Sequence, residues 1–368
     1  MGFDREAFTT IADTLNPEEV AAQEAAGAHP GELFRALLDT GLAELVIAGA
    51  PGSGDRWAFC SAISDLAQRW VGLAESIHYQ VLSICAFAES GSPDQHSRYL
   101  EAMCRGRLIA SNCFNEAGAG SDLAAMRTSA RRTDDGDYVL DGTKQWIGHA
   151  QIADLLFVYA KTADRGLRGI TCFLVDAHAP GITVTHRPKT TGAGSLPSGD
   201  IRFDSVTLPA DSVVGRVNRG MLAGESLFTQ GRLGVASCAV GLARAAMGRA
   251  GAYAAEHHQF GSPIIDFQGV AFPLAEISTD IAASAALLRA ACAAVEDQRP
   301  DAQVLAAQAK LHATRTARRA TDTAIGTLGS RAFDAAEPVL RWASEAHLLE
   351  VVQGTPQIQK IAIAAQLR

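Results

Sequence analysis

The sequence predicts an α+β chain in three parts: an N-terminal α-helical domain, a central β-barrel-like domain and a C-terminal four-helix bundle. Three observations carry this expectation. Apolar residues recur at helical spacing up to about residue 107, alternate with a period of two over 108–212, and return to helical spacing in long Ala-rich runs over 213–368. The 368 residues suffice for two or three domains, and 48% apolar with 20% charged residues is the composition of a folding chain.

In 1–107, Leu33, Phe34, Leu37 and Leu38 form a helical face that closes at Gly41, and Phe59, Ile63, Leu66 and Trp70 form another. Ser92, Pro93 and Gln95 supply the N-cap, first-turn proline and capping-box residue of a helix that stops near Gly106. In 108–212, residues 138–140 and 144–147 read as strands joined by a hairpin turn at Asp141 and Gly142, and 155–160, 169–175, 182–185 and 201–208 continue the sheet. In 213–368, the stretches 221–256, 266–297, 302–326 and 334–351 read as bundle helices. Thr355 as N-cap and Pro356 as first helical residue open a last one.

With 32 Lys+Arg against 40 Asp+Glu, the net charge of −8 argues against nucleic acid and anionic membranes as partners. The seven cysteines are odd in number, scattered and set in apolar contexts, so they read as reduced core thiols of a cytosolic (cytoplasmic) protein. No secretory leader is expected, and no uninterrupted apolar stretch of membrane-spanning length.

Four segments could carry chemistry. The run Asn115, Glu116, Ala117, Gly118, Ala119, Gly120, Ser121, Asp122 can turn backbone N–H groups inward as an anion nest, although a Gly-rich interdomain turn explains it equally well. In Lys144, Gln145, Trp146, Ile147, Gly148, His149, an indole stands beside a glycine at a strand end, where it could wall a planar ring; taken alone, a core Trp is the better reading. The stretch from Glu256 through Phe260 to Gln268 punctuates two helices with Gly261 and Pro263, and its adjacent His257 and His258 cannot share a helix face as metal ligands, so no metal is expected. The helix start at Thr355 could hold an anion on its free N–H groups or be a simple cap. No Ser-His-Asp order, carboxylate dyad or Cys–His pair can be assigned from spacing.

In this order and spacing the four segments resemble the acyl-CoA dehydrogenase family of flavoproteins, from about Leu33 to Ala365. The resemblance implies that family's helix, sheet and bundle fold, FAD as cofactor, and a homodimer or homotetramer. It implies that Asn112, Phe114, Asn115 and Ser121 surround the flavin, with Trp146, Ile147 and Gly148 as the wall beside its reactive ring. Phe260 and Gln268 resemble positions that reach the nucleotide end of FAD across a subunit interface, and Thr355 and Gln357 those that hold its pyrophosphate and adenosine portions.

The departures bear on chemistry. Where the family commonly has a Glu that removes the proton α to a thioester, this chain has Gln353; where some members place that Glu on the first bundle helix, it has Gly231 before Arg232. An amide cannot take the proton, and a lost general base costs about 10²–10⁴ in rate. Thr229 for a carboxylate, His257 for an Arg and Gly148 for a hydroxyl residue are further differences. Arg232 is evenly balanced between a structural Arg satisfied by a carboxylate and a cation beside the substrate carbonyl.

This pattern is similar to the acyl carrier protein-linked dehydrogenases of polyketide extender-unit biosynthesis, of the hydroxymalonyl or methoxymalonyl type found in antibiotic pathways. It implies FAD-dependent oxidation of a short hydroxylated acyl group on an acyl carrier protein. Two alternatives stay open: a conventional α,β-dehydrogenase of a short acyl-CoA whose base comes from elsewhere, such as Glu350 or His149, and a non-catalytic binding or assembly subunit. Arg216 and Arg219 beside a loop are weak grounds for a carrier-protein dock, and the electron acceptor is open.

Overall fold

Before Ala110 the described chain is helical throughout. The computed structural model describes residues 2–47, 54–186 and 191–367, apart from the side chains of 222–226. Its first six α-helices are α1 (Arg5–Asp13), α2 (Pro17–Ala26), α3 (Gly31–Asp39), α4 (Arg56–Ala67), α5 (Val71–Ser90) and α6 (Pro93–Cys104). Side chains of Asp4, Asn16, Asp55 and Ser92 accept from the first-turn N–H groups of α1, α2, α4 and α6, and both halves of the Ser92–Gln95 capping box form. α5 is apolar on nearly every side and is therefore the buried central helix of this region. By length and mean composition it and one bundle helix, Gln268–Glu296, could span a membrane, although charged residues interrupt both; 89% of the most apolar stretch of α5 is buried inside the protein.

The sheet comprises β1 (Ala110–Cys113), β2 (Ser129–Arg132), β3 (Tyr138–Gly148), β4 (Leu155–Lys161), β5 (Ile170–Asp176), β6 (Ile182–His186), β7 (Ser198–Leu208) and β8 (Val213–Val214). Their order is β6-β7-β3-β2-β4-β5-β8, with β1 pairing parallel to β4. β4 is buried on both faces: Leu156, Val158 and Ala160 pack inside the sheet domain, while Leu155, Phe157 and Tyr159 join the helical core.

The hairpin expected at Asp141 and Gly142 is absent. β3 runs unbroken through them, and the pairing to β7 instead slips between Leu140 and Gly142, a bulge. Gly142 has φ +146° and any Cβ there would lie 2.7 Å from the Thr128 Cα, so glycine serves the bulge and not a turn. The turn lies five residues earlier, where Thr133 and Asp137 bond across Gly136 between β2 and β3.

The bundle consists of α7 (Gly220–Glu256), a short ribbon β9 (His258–Gln259) and β10 (Ser262–Pro263), α8 (Gln268–Glu296), α9 (Ala302–Leu328), α10 (Val339–Val351) and α11 (Pro356–Ala364). α7 and α9 pack against each other, and both are rich in small buried residues, such as Ala236, Ala239, Ala243 and Ala246 in one and Ala306, Ala309, Ala313 and Ala317 in the other. α10 begins at Val339 rather than 334, because Pro338 precedes its first turn and a 3-10 turn fills the approach. α7 also packs on α4 and α5, so bundle and N-terminal helices share one apolar core. All seven cysteines are buried free thiols.

Candidate active site

Two of the sequence segments are joined by a buried ion pair. Lys144, from mid-β3, donates to the Glu116 carboxylate at 3.0 Å and to the Phe114 carbonyl at 3.0 Å. Glu116 also accepts from the backbone N–H groups of Arg127 and Thr128. Burial would raise its pKa, but Lys144 and these donors hold the carboxyl below its ordinary range. The pinned loop bridges Glu116 to Ala119 and leaves the N–H groups of Ala117, Gly118, Gly120 and Ser121 without a partner among the described residues. Nothing lies within 4 Å of where a Cβ on Gly118 or Gly120 would stand. Asn115 and Ser121 are exposed here, whereas Phe114 turns inward and stacks on Tyr159, ring centroids 3.6 Å apart. Phe114 therefore serves this turn through its carbonyl. Asn112 donates to Ser83 at 2.7 Å and keeps a buried Oδ1 with no partner.

At the end of β3, Trp146 is 58% exposed and has φ +56°, a left-handed conformation that a core Trp would have no reason to bear. Ile147 is buried beneath it. Gly148 lies against Tyr79 of α5, whose ring carbon would be 3.0 Å from any Cβ at 148, so the residue type makes room for Tyr79. His149 is buried, hydrogen-bonded to Ser76 at 2.7 Å and to the Ala110 carbonyl; burial pushes its pKa down to about 3. Ser76 in turn contacts His29 at 2.9 Å.

The turn between α10 and α11 presents Gln353, with φ +53°, followed by Gly354 at +92°. The Gln353 side chain occupies the space beside Gly231: its Oε1 lies 2.6 Å from where a Cβ of residue 231 would be. The Tyr79 hydroxyl faces the same amide. Beneath the turn, the Lys310 ammonium of α9 donates to the carbonyls of Glu350, Val352 and Gly354, the first at 3.2 Å. Gln359 adds donors to the Gln353 and Gly354 carbonyls at 3.1 and 2.8 Å. Burial lowers the Lys310 pKa to about 7, partly offset by Glu75.

Polar groups on α5 and α7 complete this corner. Glu75 is fully buried with neither carboxyl oxygen hydrogen-bonded, and burial pushes its pKa up to about 7. His78, with both ring nitrogens unpartnered, packs into the space left by Gly234; burial lowers its pKa to about 4. Gln230 is buried with both amide atoms unpartnered, and the Arg232 Nε is likewise buried and unpartnered. Glu350 is not a solvated helix residue: its side chain is 15% exposed and 3.9 Å from Arg318.

Phe260 sits at the tip of the β9–β10 ribbon, 96% exposed with φ +53°, and Gln268 is exposed at the start of α8. The Thr355 hydroxyl caps α11, accepting from the Ile358 N–H, and Gln357 is exposed in that first turn. The structure thus brings Gly148 to Tyr79, and Gln353 to Gly231, while Phe260 and Gln268 project from the other end of α7. Sequence reasoning missed Tyr79, Glu75, His78, Lys310 and Gln359. For Glu75, His78 and Tyr79 the signal available was a set of polar residues in α5, a helix otherwise apolar on nearly every side; Lys310 and Gln359 lie on helices with many polar residues and gave none.

These features suit a flavin dinucleotide. The open Gly118–Gly120 loop offers free N–H groups for a phosphate, the orphaned Asn112 Oδ1 an acceptor for a ring N–H, and Trp146 an exposed aromatic face. Among the described residues no cluster of His, Cys, Asp or Glu could hold a metal ion.

Comparison with known proteins agrees across the chain. Family models match as the acyl-CoA dehydrogenase N-terminal domain over residues 3–107, the middle domain over 111–206 and the C-terminal domain over 218–368. The chain is 33% identical to benzylmalonyl-CoA dehydrogenase of Aromatoleum aromaticum, across 99% of this chain and 96% of that protein. Its fold matches butyryl-CoA dehydrogenase from Megasphaera elsdenii with a TM-score of 0.94 at 28% identity, covering 100% of both chains. It matches PigA, solved with FAD and proline, with a TM-score of 0.93 at 25% identity, covering 98% of this chain and 95% of that one.

Proposed function

The chain belongs to the acyl-CoA dehydrogenase family of FAD-dependent oxidoreductases, and from that premise we propose that it oxidises a short, hydroxylated acyl group held as a thioester on an acyl carrier protein. One observation supports this reading above others. Positions 353 and 231 present an amide and a glycine, neither of them a carboxylate, where the family's base stands.

When bound, FAD supplies the two-electron acceptor that takes a hydride equivalent from the acyl group. The loop at 117–121, Asn112, Trp146 and the Thr355 helix start are the groups that would hold it. Gln353 can accept a hydrogen bond from a substrate hydroxyl and donate one to a carbonyl, which orients both without removing a proton. Oxidation at a carbon bearing oxygen suits this, because the proton to be lost is on oxygen and can pass to solvent water, a weaker base than a carboxylate. Lys310 keeps the turn that carries the amide in place through its carbonyls.

Assembly as a homodimer or homotetramer is part of the proposal. Phe260 and Phe272 stand exposed on the ribbon and on α8, and only 22% of the most apolar stretch of α8 is buried in the single chain. Anaerobic mixing of the yellow protein with a three-carbon hydroxyacyl carrier protein is expected to bleach the flavin. Rapid bleaching by butyryl-CoA with none by the hydroxyacyl carrier protein contradicts the proposal.

A second reading, α,β-dehydrogenation with a relocated base, is favoured by Glu75, a buried unpartnered carboxyl one helical turn before Tyr79. Under that reading the butyryl-CoA reaction is fast in the native protein and is lost in Glu75→Gln.

A further inference from the structure

The corner around Gln353 holds a cation that no group among the described residues neutralises. Arg232 is half-buried, its Nε is shielded from solvent without a partner, and its guanidinium makes no hydrogen bond or ion pair with any described residue. It follows Gly231, against which the Gln353 side chain lies, and its charge is felt at Lys310, which holds the 350–354 turn. Lys310 has three carbonyl partners and is offset by Glu75. Arg232 has neither, and burial alone perturbs it, lowering its pKa. Beside it in sequence, Gln230 is buried with both ends of its amide unpartnered. The shielded Nε has lost its water without gaining an acceptor, while the two terminal nitrogens stay accessible to one. Such a site is completed when the ligand brings the missing charge.

We propose that Arg232 receives a free carboxylate carried by the acyl group, so that the substrate is a monothioester of a short dicarboxylic acid. A carboxylate matches the planar, two-pronged donor set of a guanidinium better than any single-atom acceptor does. The amide at 353 is the counterpart of this choice: a Glu there would place a second anion in the corner that receives the substrate's own. The inference rests on the acyl-thioester reading and adds to it the class of acid.

The test compares two ligands on the same pantetheine handle, malonyl and butyryl, binding to the FAD-loaded protein, read by calorimetry and by perturbation of the flavin spectrum. The native protein is expected to bind the malonyl thioester about 10- to 100-fold more tightly, the range for one charged hydrogen-bonded contact. Arg232→Met is expected to remove that preference with FAD retained. Gln353→Glu, which leaves Arg232 in place, is expected to remove it as well. Equal binding of the two thioesters by the native protein overturns the inference, as does a preference that survives both substitutions or loss of FAD from Arg232→Met. If butyryl binds and malonyl does not, the carboxylate site fails while the acyl-thioester reading stands; if neither perturbs the flavin, both fail.

Discussion

The Gln353 Oε1 lies 2.6 Å from the point that a Cβ on Gly231 would occupy. The two family locations for a catalytic carboxylate are therefore one volume, reached from the α10–α11 turn or from α7. In this chain the volume holds an amide.

Packing at this point is testable by itself. Gly231→Ala forces the Gln353 side chain aside and is expected to destabilise the protein by about 1–3 kcal/mol, the usual cost of overfilling a packed site. Gly231→Ala combined with Gln353→Gly is expected to recover most of the loss, a coupling that urea unfolding of the four proteins in a double-mutant cycle measures.

Lys310 ties the turn to α9 through three carbonyls. Lys310→Met takes this donor from the Glu350 and Val352 carbonyls and leaves Gly354 with Gln359 alone, with an expected loss of about 2–3 kcal/mol. Amide exchange near residues 351–355 is expected to accelerate more than exchange in α9, which hydrogen exchange followed by mass spectrometry resolves.

Glu75 makes stability depend on pH in a defined direction. Its folded pKa of about 7 stands above the ordinary 4.5, so the native state holds a proton that the unfolded chain has released. Stability therefore falls as pH rises from about 4.5 to 7 and stays lower beyond. Glu75→Gln removes this term. Its stabilising effect is expected to be larger at about pH 8 than at about pH 5 by about 2–3 kcal/mol, read from denaturant unfolding at both values.

The Glu116–Lys144 pair pins the Gly118–Gly120 loop to β3. Glu116→Gln strands a buried ammonium and is expected to cost about 3 kcal/mol. It is also expected to lower FAD occupancy, measured as flavin absorbance per protein after gel filtration. Unchanged occupancy would separate this loop from the cofactor.

Features set by a few neighbouring residues were legible in the sequence. The Ser92–Gln95 capping box, the Thr355 cap with Pro356, and the change of period at the start and end of the sheet all depend on local chemistry. The Asp141–Gly142 turn was misread because the same dipeptide serves a bulge, and only the pairing of β3 with β7 and the nearness of Thr128 decide between them. For the site, Gln353 and Gly231 were recognisable by position, yet their contact is a product of two distant helices. Trp146 could not be told from a core residue without its backbone conformation. Glu75, His78 and Lys310 were hidden because a polar residue in a buried helix reveals its use only when its partners, or their absence, are in view.

The most direct measurement is the single-turnover rate of flavin reduction by a butyryl thioester, in the native protein and in Gln353→Glu. A carboxylate returned to this corner is expected to raise the rate by about 10²–10⁴. A native protein that already reduces its flavin with butyryl thioester as fast as the Gln353→Glu variant would contradict the claim that the amide at 353 turns this site away from α-proton abstraction.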